Sequence, residues 1–164
     1  MRTTVRSRMA LLFAIIVAAT GLSAPASPAT AAPAADFSTD PARAGVDRLV
    51  ADYIGLYAGP TIDRWRTLFH PAVVVAFPDD DGSIRTRSLD EFVARQKNYF
   101  ATGRQISERL ENMRIDMGRR IARVSADFIF MDEGTERPGK LGLHLAEGKD
   151  GWKIVAVLFS YDAE

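Results

Sequence analysis

The chain of 164 residues contains no cysteine. Disulfides, thiol nucleophiles, zinc–thiolate sites and a lipidated amino-terminal cysteine are all excluded by that absence. Histidine is scarce, with His70 and His144 the only two. They stand far apart, and neither belongs to an H-E-x-x-H pattern. No catalytic metal and no other cofactor is therefore expected.

Net charge is missing as well. The 21 basic and 21 acidic residues give a formal charge of +0. The first 31 residues hold Arg2, Arg6 and Arg8 and no acidic residue, so the remainder is slightly acidic. Nothing electrostatic points to nucleic acid or anionic lipid as a partner. A membrane-length apolar run is also lacking. Met9 to Ala19 is apolar for roughly ten residues, too short to span a bilayer comfortably.

What is present at the start is a basic tip, that apolar run, and Ala29-Thr30-Ala31 as an A-x-A cleavage pattern. These predict a secretory signal peptide over residues 1–31, a secreted or periplasmic location, and no membrane contact after cleavage. A membrane anchor is the competing reading. Ser7 separates Arg6 from Arg8, so the twin-arginine pattern is absent. Pro25, Pro28 and Pro33 among alanines and serines extend a processed or disordered lead-in over residues 32–39. Removing residues 1–31 leaves about 130 residues, enough for one domain with a real core, placed at residues 40–164.

Asp40 or Thr39 can cap a first helix with Pro41 in its first turn. Val46, Leu49, Val50, Tyr53, Ile54 and Tyr57 then share one helical face, and Gly59-Pro60 ends it. Thr61 opens a second, short helix through about Phe69, stopped at His70-Pro71. Ala72 to Phe77 reads as a strand, Pro78 to Ser83 as a turn, and Ile84 to Arg87 as a short returning strand. Ser88-Leu89-Asp90-Glu91 is a capping box, so a third helix starts there, with Gly103 at its left-handed end.

From Gln105 the period changes from 3.6 to 2. Ile106 to Met117 and Arg120 to Met131 read as long strands around Gly118. Ala122, Val124, Ala126, Phe128 and Phe130 form a clean apolar face. Asp132 to Gly139 reads as a loop. A final hairpin turns at Gly148-Lys149-Asp150-Gly151. Its second arm, W-K-I-V-A-V-L-F-S-Y, is apolar on both faces and so is covered on both sides, by the protein's own helices and by a partner subunit.

This order of elements resembles the nuclear-transport-factor-2-like superfamily, which includes SnoaL-like and ketosteroid-isomerase-like proteins. The resemblance covers Val46 to Tyr161. It rests on the Y-x-x-x-Y end of the first helix, T-I-D-R-W-R-T-L-F-H-P-A-V-V-V, the S-L-D-E helix start, and the closing D-G-W-K-I-V-A-V-L-F-S-Y-D. It implies an α+β, cone-shaped fold, with three amino-terminal helices packed on one face of a strongly curved, mostly antiparallel sheet. A pocket lies between helices and sheet. Superfamily members include isomerases, cyclases, dehydratases and binding proteins without chemistry, so the fold leaves activity open.

Steroid-isomerase-like members place a hydrogen-bonding tyrosine on the first helix, and Tyr53 falls at the matching place. Their general-base carboxylate lies on the first strand, where this chain has Phe77. Phenylalanine accepts no proton, so the enolising mechanism lacks its base. The second acid of those members has no counterpart near Lys140 or Leu141.

Several residues have two readings. Asp127 is a base with a raised pKa at a cavity wall, or a solvated residue paired with Arg123 on the outer face. His144, beside the small Gly142 and Ala146, is an acid–base group, or a hydrogen-bonded residue on the dimer face or rim. His70 reads as helix-end structure. Tyr53, Tyr57, Trp65, Phe69, Phe77, Phe92 and Phe100 are core, or the wall of an apolar ligand pocket. Asp79-Asp80-Asp81-Gly82 does not meet the EF-hand pattern, because Phe77 and Ser88 occupy two ligand positions.

The expectation taken forward is an exported domain that binds a small apolar or amphipathic molecule, homodimeric through its sheet and without an identified catalytic centre. The alternatives are a SnoaL-like lyase or isomerase using Asp127 or His144, and a structural or interaction module whose cone is filled by its own side chains.

Overall fold

A computed structural model describes residues 40–79 and 81–162. The expected signal peptide and lead-in, residues 1–31 and 32–39, lie outside the described residues. Helix α1 spans Pro41–Gly55 and α2 spans Ile62–Arg66. Strands β1 (Phe69–Pro78) and β2 (Ile84–Arg87) precede α3 (Leu89–Ala101). Four long strands follow: β3 (Ile106–Met117), β4 (Ile121–Asp132), β5 (Thr135–Gly148) and β6 (Gly151–Tyr161).

Local chemistry sets the helix starts. Asp40 Oδ1 accepts from the Ala42 amide at 2.9 Å, with Pro41 as first helical residue. The capping box of α3 is complete. The Ser88 hydroxyl accepts from the Glu91 amide, and the Ser88 amide donates to Glu91 Oε2 at 2.8 Å. Such a cap is worth about 1 kcal/mol.

The six strands form one sheet in the order β2-β1-β6-β5-β4-β3. Only the β1–β6 pair is parallel. Three helices against this unclosed, mixed sheet give the α+β, cone-like architecture expected from the sequence. The inner row Ala122, Val124, Phe128 and Phe130 joins the buried core with Leu141, Leu143 and Leu145 of β5.

Some boundaries differ from the sequence reading. The stretch read as a loop from Asp132 is a tight turn at Glu133 and Gly134, with φ of 52° and 81°, and β5 runs straight from Thr135. Pairing with β4 through Pro138 and Gly139 accounts for this: Ile129 faces Pro138 and Phe128 faces Gly139. The second helix ends at Arg66, so His70 and Pro71 lie within β1.

Two bulges reverse the side-chain alternation. In β6, Leu145 pairs with Ile154 while His144 pairs with Ala156, leaving Val155 as the extra residue. Trp152 and Ile154 are buried before the bulge, Val157 after it. A strand that looks apolar on both faces is therefore one strand whose inward parity switches once. In β3 the extra backbone lies between Glu111 and Arg114, with Asn112 at φ 50°. Ile106, Glu108 and Leu110 point inward before that bulge, and Ile115 and Met117 after it.

Candidate functional site

The aromatic stripe on α1 begins the site. Tyr53 lies on α1, whereas Tyr57, expected on the same helical face, lies two residues past the end of that helix at Gly55; both are buried. Trp65 of α2 donates its indole N–H to the Tyr53 carbonyl at 2.9 Å, which ties α2 to α1. Its ring packs on Tyr53, Tyr57, Phe69 and Phe92 with centroids 4.6–5.5 Å apart. Such tilted and edge-on pairs are worth roughly 0.5–1.5 kcal/mol each beyond their burial. The Tyr57 hydroxyl donates to Gln96 Oε1 of α3 at 2.6 Å, so all three helices are joined around these rings.

Between the rings and the sheet lies a cavity of about 320 Å³. Tyr53, Tyr57, Trp65, Phe77 and Phe92, all expected from the sequence, line it. Phe69 and Phe100 are not among its lining residues. Phe69 stands behind Trp65 and Phe92, and Phe100 packs edge-on to Tyr57. These two support the wall because their places in the chain, at the start of β1 and the last turn of α3, lie behind it.

Glu108 of β3 also lines the cavity. The residue is half-buried, but its Oε1 is sealed from solvent and has no hydrogen-bond partner. Burial pushes the carboxyl up to about 7, and a hydrogen-bonding interaction from Tyr53 offsets part of that rise. Burial also drives Tyr53 well above the usual phenol value, with the Glu108 charge as the next cause. Tyr57 is raised in the same way and order. A carboxyl that changes protonation near neutrality is thus enclosed by phenols that stay protonated.

The expectation of a hollow without a proton acceptor does not hold. Phe77 does occupy the place on β1, where it stacks on Phe159 at 5.1 Å. The carboxylate comes from β3 instead. Glu108 shares the inward parity of Ile106 and Leu110, and that charge on an apolar face was the signal in the sequence. The bulge at Asn112 and the many polar residues of β3 masked it.

Asp127 and His144 do not reach the cavity. Asp127 lies on the opposite face of β4, where Lys140 Nζ and Asn112 Nδ2 each donate to it at 2.7 Å. Those hydrogen bonds hold its carboxyl below the ordinary value, Lys140 first. The expected partner Arg123 instead binds Asp116 at 2.6 Å. His144 is exposed on β5, opposite Arg123 and Ala156. His70 is exposed, and its Nδ1 accepts from the Ala72 amide at 3.1 Å. Among the described residues, no three His, Asp or Glu side chains converge to hold a metal ion.

A family model described as a SnoaL-like domain matches residues 46–164. No curated protein matches. Solved structures share the fold at low identity. A candidate dehydratase of the nuclear-transport-factor-2-like family from Streptomyces avermitilis is 14% identical, with a TM-score of 0.62 over 76% of this chain and 99% of that one. A candidate scytalone dehydratase from Novosphingobium aromaticivorans is 15% identical, with a TM-score of 0.61 over 74% and 84% of the two chains. A protein from Kribbella flavida is 16% identical, with a TM-score of 0.63 over 78% and 94%.

Proposed function

The chain belongs to the SnoaL-like domain family, and we propose that it is an acid–base lyase or isomerase acting on a small molecule held in the cavity, with Glu108 as the proton carrier. One observation carries this reading: Glu108 lines the same aromatic cavity as Tyr53, with its Oε1 sealed from solvent and unpartnered, and burial pushes that carboxyl up toward neutrality. A group poised near neutrality can take a proton and return it with little penalty in either direction.

The chemistry follows from the residues present. Ionised Glu108 removes a proton from a carbon next to a carbonyl. The C–H electrons move toward the carbonyl oxygen, where a tyrosine hydroxyl donates a hydrogen bond to the developing charge. Returning the proton to another carbon completes an isomerisation. Delivering it to a β-hydroxyl that departs as water completes a dehydration and restores the carboxylate. The two dehydratase-described neighbours support that class by likeness of fold alone.

Small cyclic ketones and β-hydroxyketones in deuterium oxide test the proposal. Deuterium wash-in or loss of water should depend on the protein and fall at least about 100-fold in Glu108→Gln. A second reading, a binding domain without chemistry, is supported by the aromatic lining. It is preferred if ligands bind the cavity but Glu108→Gln leaves exchange at the background rate seen with wild type.

Export by cleavage near residue 31 and dimerisation through the outer sheet face are further parts of the proposal. Across β1, β6 and β5, Ala76 pairs with Leu158 and Leu158 with Gly142, an apolar row on which Leu158 is 49% exposed. Nearby Val74 is 50% exposed. Light scattering of wild type against Leu158→Lys tests the dimer, and amino-terminal sequencing of the exported chain tests cleavage.

A further inference from the structure

Three arginines from three different elements line the same cavity: Arg87 at the end of β2, Arg95 on α3 and Arg137 on β5. Each guanidinium lies over an aromatic ring that also lines it. Arg87 sits 4.2 Å from the Phe77 centroid, Arg95 5.2 Å from Tyr99, and Arg137 4.2 Å from Tyr161. Arg95 Nη2 also donates to the Tyr99 hydroxyl at 2.8 Å. Stacking of this kind fixes the plane of a guanidinium and leaves its N–H edge free to bind.

Ion pairs elsewhere on the described surface occupy Arg43, Arg66, Arg85, Arg104, Arg109 and Arg123. None of those pairs includes Arg87, Arg95 or Arg137. The other lining carboxylate, Asp79, is bound by Arg85 at 2.7 Å. The three cations are close enough to be felt together. Arg87 is held below its ordinary value by burial first and by the Arg95 charge second. Both Arg137 and Arg95 act on Tyr161 against the upward push of its burial. Arg87, Arg95 and Arg137 outnumber the lining carboxylates Glu108 and Asp79, so the wall carries an excess of positive charge, with Glu91 attracting Arg87 from nearby.

We infer that the ligand of this cavity is amphipathic, an apolar body among the aromatic rings and an oxyanionic group, carboxylate or phosphate, at Arg87, Arg95 and Arg137. This narrows the expectation of an apolar or amphipathic molecule to the second of the two and names its polar group. It rests on the proposed function for placing the ligand in this cavity, though not for the proton chemistry of Glu108. Guanidinium groups on three elements form charge-assisted hydrogen bonds to an oxyanion, about twice as strong as neutral ones.

The test compares 2-naphthoate, 2-naphthyl phosphate and 2-naphthalenemethanol, which share one apolar body, by calorimetric titration of the full domain at low salt. At least one of the two anions should bind about tenfold or more tighter than the alcohol, as expected for charged against neutral hydrogen bonding. Which anion gains separates a carboxylate from a phosphate ligand. Arg95→Gln and Arg137→Gln, both at exposed positions, should each remove most of that preference. Equal binding of the three probes, binding of none, or a preference that survives the double variant overturns the inference. Glu108→Gln should keep the anion preference. Glu108-dependent exchange without an anion preference therefore sinks this inference alone, and a preference without exchange sinks the catalytic reading alone.

Discussion

Glu108 on β3 and Tyr53 on α1 meet inside the cavity, the carboxyl raised to about 7 by burial and the phenol held protonated beside it. One comes from β3 and the other from α1, so their meeting depends on α1 packing against β3.

Stability should fall with rising pH because of Glu108. Its folded value is above its unfolded value of 4.5, so the folded state keeps a proton that the unfolded state has lost between the two. The contribution is fully present below about 4.5, is lost through about 7, and is constant beyond. A shift of this size corresponds to roughly 3 kcal/mol. Urea unfolding of wild type and Glu108→Gln across pH 5–8 should show the variant gaining on wild type toward pH 8. Parallel curves would contradict this.

Removing the phenol should raise Glu108 further. The interaction from Tyr53 lowers the carboxyl value, so Tyr53→Phe moves it above about 7. The pH midpoint of deuterium exchange should shift upward in Tyr53→Phe. A downward shift would show that the hydroxyl does not stabilise the ionised carboxylate.

Gly139 should not tolerate a side chain. A Cβ there would overlap the Ser160 carbonyl and the Phe128 ring, at the place where β5 passes between β4 and β6. Gly139→Ala should lower stability by about 1–3 kcal/mol, the usual cost of overpacking. Thermal unfolding measures it, and an unchanged midpoint would mean that this part of the sheet yields freely.

Asp127→Asn and His144→Ala should leave ligand binding and exchange unchanged, since neither residue lines the cavity. Loss of exchange in either variant would move the chemistry to the outer face of the sheet.

Much of this arrangement could be read from residue patterns, because those patterns were local. The Ser88–Glu91 capping box, the Val46–Tyr53 helical face and the Ala122–Phe130 alternation each act within one element. The aromatic wall followed from them. Three features were not legible for a common reason: they depend on pairing between strands. Val155 bulges out of register, which hid the inward face of β6. Asn112 does the same in β3 and obscured the inward parity of Glu108. The tight turn at Glu133–Gly134 reads as the start of a loop until β4 and β5 are aligned through Pro138. The resemblance to steroid-isomerase-like proteins points to a general base on β1, where Phe77 stands, and not to β3. The three arginines are spread over fifty residues of sequence and meet only at the cavity wall.

The most direct test is the titration of Glu108 itself, followed by the carboxyl carbon resonance in glutamate-labelled protein and assigned with Glu108→Gln. A midpoint of about 7 is predicted. A midpoint at the ordinary 4.5 would mean that the carboxyl is open to water, and the proposed proton carrier would lose its basis.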